Sequence, residues 1–148
     1  MFLLNVRDRV TPPPLDADGR AEWGVMCPWA LGHTLRQWTK LPVAADNFGY
    51  GFEDQARTYL ARSDDDALAI LARRHCRYVL TTQFESMLKG HATALGLPPP
   101  DAQSFGLRLH RGAVSAELFR PIVDSASGDM VDGVFVPRLR LFEVVAGP

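Results

Sequence analysis

The sequence predicts an α/β domain with a three-layer arrangement, in which helices flank a mostly parallel sheet and a strand-rich segment follows at the C-terminal end. Through residues 20–97, short apolar runs alternate with helical patterns, as is typical of parallel strands joined by right-handed crossovers. Residues 101–148 begin with a short helical pattern and continue with apolar residues at a period of two, which is typical of strands.

The composition is that of one soluble globular domain. The chain has 148 residues, of which 47% are hydrophobic and 22% are charged. A net charge of −1 and the absence of a basic stripe argue against a nucleic-acid partner. We expect Cys27 and Cys76 to be free thiols, because parallel strands would hold them at opposite ends of the sheet. That separation exceeds the reach of a disulfide, about 7 Å between Cα atoms.

The predicted elements follow one another in a simple order. Residues 1–14 form an amphipathic helix, Phe2–Val10, and a proline-rich exit. Strands are predicted at Trp23–Met26, Leu41–Ala45, Tyr78–Leu80, Phe119–Val123 and Val131–Val145, with a turn over 125–129. Helices are predicted at Gly32–Lys40 with Leu35 and Trp38 inward, and at Phe52–Arg62, Ser63–His75, Gln83–Leu95 and Gln103–His110.

Two loops that follow predicted strands are the main candidates for a site. They are Cys27–His33 and Asp46–Gly51, and in a parallel sheet they would meet at the carboxyl edge, where ligands bind. Trp29 fits either a core position or a binding surface, and His33 fits either a structural role or a pocket donor. The pair Asp46 and Asn47 is ordinarily found in Asx turns.

Other signals of chemistry are weak. The four histidines lack metal-ligand spacing. The acidic run after Ser63 is explained by capping, because Ser63 is a good N-cap and acids favour the first turn of a helix. The segment Gly49–Gly51 lacks the third glycine of a dinucleotide-binding loop.

The ordered set of segments resembles the soluble C-terminal domain of the STT3/PglB/AglB-type oligosaccharyltransferase superfamily and its bacterial relatives. Members carry a Trp-Trp-Asp-Tyr-Gly motif at a strand-to-helix corner, an Ala-Asp-Asn-like loop, a Tyr-Val-Leu strand, and later Phe-Arg-Leu-Val-Tyr-Glu-Ser and Phe-Glu-Val-Val segments. The similar segments here are Pro28–Gly32, Ala45–Asn47, Tyr78–Leu80, Phe119–Ser125 and Leu141–Val145.

The resemblance implies a membrane glycosyltransferase of which this chain is a fragment. Its membrane region would hold a divalent metal, the lipid-linked sugar donor and the catalytic acids, so this chain would carry no catalytic residue and no cofactor. The chain would lie on the extracytoplasmic, periplasmic face of a bacterial membrane, against its own transmembrane region. It would help to bind the acceptor of N-glycosylation, a peptide or another acceptor.

The match at the corner is partial. Trp29 and Gly32 match the family motif, whereas Pro28 replaces the first Trp, Ala30 the Asp and Leu31 the Tyr. In the family, the motif binds the Ser or Thr of the acceptor sequon, and alanine has no side-chain acceptor for that hydroxyl. The resemblance therefore implies the acceptor-binding residues Trp29, Gly32, His33, Asp46 and Asn47, whereas Ala30 argues against ordinary recognition of the sequon hydroxyl.

Two alternatives to this interpretation stay open. In the first, the chain is a free-standing α/β module that binds a small polar ligand at the same strand-end loops. In the second, it is a purely structural or interaction domain, in which Trp29 fills the core.

Overall fold

A computed structural model describes residues 1–145 as a sheet between two layers of helices. The helices in this part of the chain are α1 (Phe2–Arg9), α2 (Trp29–Thr39), α3 (Phe52–Leu60), α4 (Asp64–Arg73), α5 (Glu85–Leu95) and α6 (Phe105–His110). The strands are β1 (Gly24–Met26), β2 (Cys76–Thr82), β3 (Phe119–Asp124), β4 (Gly128–Val131), β5 (Val134–Pro137) and β6 (Leu139–Val144).

The mixed α/β class is confirmed, but the sheet is less parallel than the sequence predicted. Its order is β1-β2-β6-β3. Only the β1–β2 pair is parallel among the pairings in this four-stranded sheet, and both pairings of β6 are antiparallel. The reason is that the C-terminal strands return into the central sheet beside β2, instead of extending it as a separate segment. The strands β4 and β5 form a hairpin outside this sheet.

Apolar side chains fill two cores, one on each face of the sheet. The first core lies beneath α1 and α2 and includes Val6, Leu35 and Leu141. The second lies beneath α3 to α6 and includes Tyr59 and Phe84, whose rings pack 4.6 Å apart. The three-layer arrangement follows from this division, because each face of the sheet is covered by helices.

The predicted second strand is not a strand. Residues 41–45 make one parallel bridge, between Val43 and Val25. The bridge rests on hydrogen bonds from the Val25 N–H to the Pro42 carbonyl and from the Ala44 N–H to the Val25 carbonyl, each 2.9 Å. Pro42 has no N–H to donate, so the ladder stops there.

The helix α2 begins three residues earlier than predicted. Pro28 is the N-cap with φ −52°, and Trp29 is the first helical residue. The proline ring fixes a φ suited to a helix start. The helix also faces differently, since Leu35 and Thr39 are buried whereas Trp38 is 55% exposed. Trp38 therefore does not lie inward as predicted.

Several local predictions are confirmed. The Ser63 side chain caps α4 by accepting the Asp66 N–H at 3.1 Å. The predicted turn over 125–129 is shorter, because β4 begins at Gly128. Cys27 and Cys76 are free and buried, and burial raises the pKa of both thiols, that of Cys76 to about 12. Neither thiol ionises near neutral pH, so both act as small apolar side chains.

Candidate functional site

At the corner between β1 and α2, Trp29 lies near the surface and is packed against α3. Its side chain is half-buried, and its ring meets the ring of Phe52 edge-on at 6.3 Å. The Trp29 backbone N–H donates to Oε1 of Gln55 at 3.3 Å. The hydrogen bond therefore ties the Trp29 backbone to α3, and the contact with Phe52 packs its half-buried ring against the same helix.

Gly32 is placed by contact with the backbone and does not offer a binding group. It is buried, and a Cβ atom at this position would lie 2.0 Å from the carbonyl oxygen of Ala45. Such an approach is open only to glycine. Gly32 therefore brings α2 against residues 45–46 and joins the two predicted loops.

The second loop, 46–51, is closed by its own hydrogen bonds. Asp46 is buried, and its Oδ1 accepts the Phe48 N–H at 3.0 Å in an Asx turn. The Asp46 N–H donates to the Tyr50 carbonyl at 3.0 Å. Asn47 is exposed at the tip. Gly51 has φ +69° and approaches the Ala44 carbonyl as Gly32 approaches that of Ala45.

The two loops also meet through side chains at the surface. His33 is exposed, and its ring meets the ring of Phe48 edge-on at 6.0 Å. Phe48 is 78% exposed. On the other side of the loop, the guanidinium of Arg74 lies over the Tyr50 ring at 5.1 Å and donates to the Ala44 carbonyl at 2.9 Å. The structure thus brings all five predicted site residues to one end of the sheet.

Two buried polar side chains beside Trp29 were not predicted as site residues. Gln55 is fully buried, and its Nε2 has no hydrogen-bond partner among residues 1–145. The same holds for Nδ1 of His91, whose ring packs edge-on against Phe52 at 4.8 Å. Burial lowers the pKa of His91. A signal for Gln55 was present, because it follows Phe52 by three residues on the inward face of an amphipathic helix.

The arrangement favours binding over chemistry. The corner presents an aromatic edge and polar groups, and its only predicted carboxylate, that of Asp46, is engaged in its own turn. Across residues 1–145, no cluster of three or more His, Cys, Asp or Glu side chains is suited to hold a metal ion. Within the same residues, no helix combines the length and the apolar character needed to cross a bilayer.

Sequence comparison gives two related curated proteins from Archaeoglobus fulgidus. The chain is 32% identical over 74 residues to dolichyl-phosphooligosaccharide-protein glycotransferase 1, a match that covers 50% of this chain. A second protein of the same description is 30% identical over 69 residues. The chain aligns with 12% of the length of each. No protein-family model matches the chain.

The fold places the chain in a class of domain that is known from solved structures. It superposes on the C-terminal globular domain of an oligosaccharyltransferase from Archaeoglobus fulgidus with a TM-score of 0.75 and 18% identity, over 96% of this chain and 93% of that domain. A longer structure, archaeal oligosaccharyltransferase AglB in complex with an inhibitory peptide and a dolichol-phosphate, gives a TM-score of 0.68 at 11% identity over 90% of this chain and 28% of that one.

The chain is therefore similar in sequence, over half of its length, to an archaeal dolichyl-phosphooligosaccharide-protein glycotransferase, and over nearly all of its length it has the fold of the C-terminal globular domain of an oligosaccharyltransferase. This confirms the resemblance drawn from the ordered segments of the sequence.

Proposed function

We propose that this chain is the extracytoplasmic C-terminal domain of an oligosaccharyltransferase-like membrane glycosyltransferase. It helps to bind the acceptor beside the membrane active site and performs no chemistry alone. The related glycotransferases support the enzyme class. The structure of AglB with an inhibitory peptide supports a role near the acceptor, since this chain shares the fold of part of that protein.

One observation carries the assignment of the site. The Trp29 side chain stays half-buried although its ring packs against Phe52 and its backbone N–H donates to Gln55. A residue that only filled the core would be buried in full, whereas a fixed aromatic edge is suited to contact a ligand. We place His33 and the turn formed by Asp46 and Asn47 around it as further acceptor-binding groups.

The rest of the chemistry belongs to the membrane region of the full-length protein. A divalent metal, a lipid-linked sugar donor and the catalytic acids would lie there, because the described residues of this chain offer no set of metal ligands. This chain then acts by covering that site and presenting the acceptor. We expect it on the same face of the membrane as the bound donor, because acceptor and donor must meet there, and the family resemblance implies that this is the extracytoplasmic face.

Replacement of Trp29 in the full-length enzyme tests the proposal. In Trp29→Ala we expect glycosyl transfer to fall, with a rise in KM for the acceptor, while the circular dichroism spectrum of the chain remains native. Trp38→Ala is the matched control, because Trp38 lies on the same helix and is 55% exposed. Trp29→Phe keeps part of the aromatic edge and should fall between them.

The outcomes separate the alternatives. If Trp29→Ala unfolds the chain and Trp29→Phe restores both fold and full activity, Trp29 is a structural residue. If transfer is equal in the Trp29 and Trp38 variants while both fold, the corner does not contact the acceptor. A full-length gene that encodes no membrane spans would contradict the enzyme class itself.

A further inference from the structure

A cavity of about 700 Å³ lies between the β4–β5 hairpin, the start of α5 and the C-terminal end of α6. Five of the residues that line it are apolar, namely Phe84, Leu107, Val131, Val134 and Val136. Volumes of this size are typical of small-molecule sites, in which a few polar groups orient the ligand. The cavity shares no residue with the Trp29 corner, so a ligand here would be additional to the acceptor proposed above.

The side chains that line the cavity carry more negative than positive charge. Three carboxylates line it, those of Glu85, Asp129 and Asp132, against the single guanidinium of Arg111. Arg111 Nη2 pairs with Glu85 Oε1 at 3.1 Å. Oδ2 of Asp129 accepts a hydrogen bond from a neutral group, Nε2 of Gln83, at 2.7 Å. The carboxylates of Asp129 and Asp132 are therefore not neutralised by a cation in the described structure.

The N-terminus of α5 also lies at the cavity, and its partial charge is positive. Phe84 is its N-cap and offers no side-chain hydrogen bond. A helix end contributes the equivalent of about half a positive charge. That partial charge and Arg111 together are outweighed by three carboxylates, one of which, Glu85, already lies in the first turn of α5. The field in the cavity thus favours a cation.

A buried histidine without a partner on one nitrogen forms part of the cavity wall. His110 is 4% exposed, and its Nε2 has no hydrogen-bond partner among residues 1–145. Its Nδ1 lies 2.9 Å from Oγ1 of Thr81. Nε2 is closed off from solvent, so His110 influences the cavity through its charge state and not through a hydrogen bond to a ligand.

His110 adds no positive charge to oppose a cation at neutral pH. Burial, with the neighbouring charge of Arg140, lowers the pKa of His110 to about 4. Arg111 acts in the same direction, whereas the Pro137 carbonyl and Asp124 oppose it. The ring is therefore neutral when the carboxylates are charged.

We propose that this cavity binds an organic cation on an apolar stem, such as a primary ammonium group carried by an aryl or alkyl chain. The stem packs against Leu107 and the valines of the hairpin, and the cation faces Asp129 and Asp132. A lysine side chain of a polypeptide and a free amine share this chemistry.

Titration of the ¹⁵N-labelled chain with matched probes tests the proposal. The probes are 2-phenylethylammonium, neutral 2-phenylethanol and anionic 3-phenylpropanoate, with Nα-acetyl-lysine amide as the peptide-like arm. We expect saturable amide shifts confined to Ser86, Val131 and Gly133 for the ammonium probe, and clearly weaker binding of the other two aryl probes. Binding of the lysine probe points to a polypeptide source, and binding of the amine alone points to a small molecule.

Charge-removing variants complete the test. Asp132→Asn suits the left-handed backbone at this position, φ +49°, so the hairpin turn should persist. We expect Asp132→Asn and Asp129→Asn each to weaken binding of the ammonium probe about tenfold, as for loss of one charged hydrogen bond. Glu117→Gln, an exposed site elsewhere, is the matched control and should change nothing.

Three results would overturn the proposal. They are equal or tighter binding of the neutral or anionic probe, no saturable shift at millimolar ammonium probe, and unchanged affinity in both aspartate variants. None of them bears on the acceptor role of the Trp29 corner, because the two sites share no residue.

Discussion

The Trp29 corner and the hairpin cavity lie at the same end of the sheet and are built in opposite ways. The corner is set by contacts between backbones, since Gly32 allows α2 to approach the Ala45 carbonyl. The cavity exists because the β4–β5 hairpin stands apart from the four-stranded sheet. Each nevertheless contains a buried histidine with one nitrogen unpartnered among the described residues, His91 at the corner and His110 at the cavity.

The two regions show that one end of a sheet can present two kinds of surface. At the corner, the Phe52 ring packs against both Trp29 and His91, so a ligand would meet a packed aromatic surface. At the cavity, apolar side chains and carboxylates line an open volume, and His110 forms part of the wall. A rigid surface suits a partner that is presented from outside, whereas an open cavity suits a group that inserts.

The largest effect on stability is expected for a substitution that blocks the close approach between α2 and the Ala45 backbone. In Gly32→Ala the new Cβ would meet the backbone oxygen of Ala45, which cannot move aside as a side chain can. We expect a loss of about 3 kcal/mol in the free energy of unfolding, measured by urea denaturation.

Gly90→Ala is the matched control for that substitution. Gly90 is exposed within α5, and nothing lies within 4 Å of an added Cβ. The control should gain about 0.5–1 kcal/mol, because alanine suits a helix interior better than glycine. Equal effects at positions 32 and 90 would show that the corner tolerates a side chain.

The next effect is the pH dependence of the free energy of unfolding, to which the two buried histidines contribute. The pKa of His110 is lowered to about 4, so between about pH 6.5 and 4 the unfolded chain binds a proton that the folded chain refuses. The free energy of unfolding should therefore fall as the pH drops through this window, by on the order of 3 kcal/mol at 1.36 kcal/mol per pH unit.

Glutamine at either histidine position assigns that pH dependence. His110→Gln should flatten the curve of stability against pH, and His91→Gln should act in the same direction, since burial also lowers the pKa of His91. Glu143 acts in a separate range. Burial raises the pKa of Glu143, but hydrogen bonds from Arg120 and Arg77 outweigh it and lower that pKa, so its stabilisation is lost only below about pH 4.5. An unchanged slope in His110→Gln would contradict the neutral histidine.

A smaller effect distinguishes the two tryptophans of α2. We expect Trp29→Ala to cost about 2 kcal/mol in the free energy of unfolding, because it removes a half-buried ring and its contact with Phe52. Trp38→Ala should stay within about 0.5 kcal/mol, as is usual for exposed positions. Chemical denaturation of both variants compares them, and similar losses would mean that the exposed ring is also packed.

The smallest effect concerns the position at which the family motif carries an acid. Ala30 is exposed in the first turn of α2, which contains no acidic residue. We expect Ala30→Asp to raise the free energy of unfolding by about 0.5 kcal/mol through the helix dipole, and the gain should shrink in high salt.

Two further observations complete that comparison. Thr34→Asp, beyond the first turn of the same helix, is the control and should be neutral for stability. In the full-length enzyme we expect Ala30→Asp to favour acceptors that carry a hydroxyl. A preference that does not change would argue against a hydroxyl contact at this position.

Much of the fold could be predicted because its elements follow local rules. The Ser63 cap and the acids after it define the start of α4, and the period of two in residues 138–143 defines β6. Strand order could not be predicted in the same way. The pairing of β6 between β2 and β3 depends on contacts between distant parts of the chain, and alternation of elements favours a parallel sheet even where the last strands reverse.

The meeting of the two loops was predicted, but the contacts that bring them together were not. The two loops meet as expected, yet the second strand that was to bring them together is one bridge. Gly32 brings them together instead, and a glycine in a helical pattern gives no signal of the backbone that it will approach. Gln55 and His91 were missed because the partners that define them, Trp29 and Phe52, reach them only through the folded structure.

The spacing between Ala30 and Gly32 has a consequence for how such a domain can diversify. Position 32 admits no side chain, whereas position 30 faces solvent and can be exchanged without steric cost. The residue that maintains the architecture and the residue at which the family motif carries its acid are thus separate positions two apart on one helix. Selection can alter the second while the first stays constant, so under the proposed acceptor role the preference for an acceptor can change while the scaffold persists.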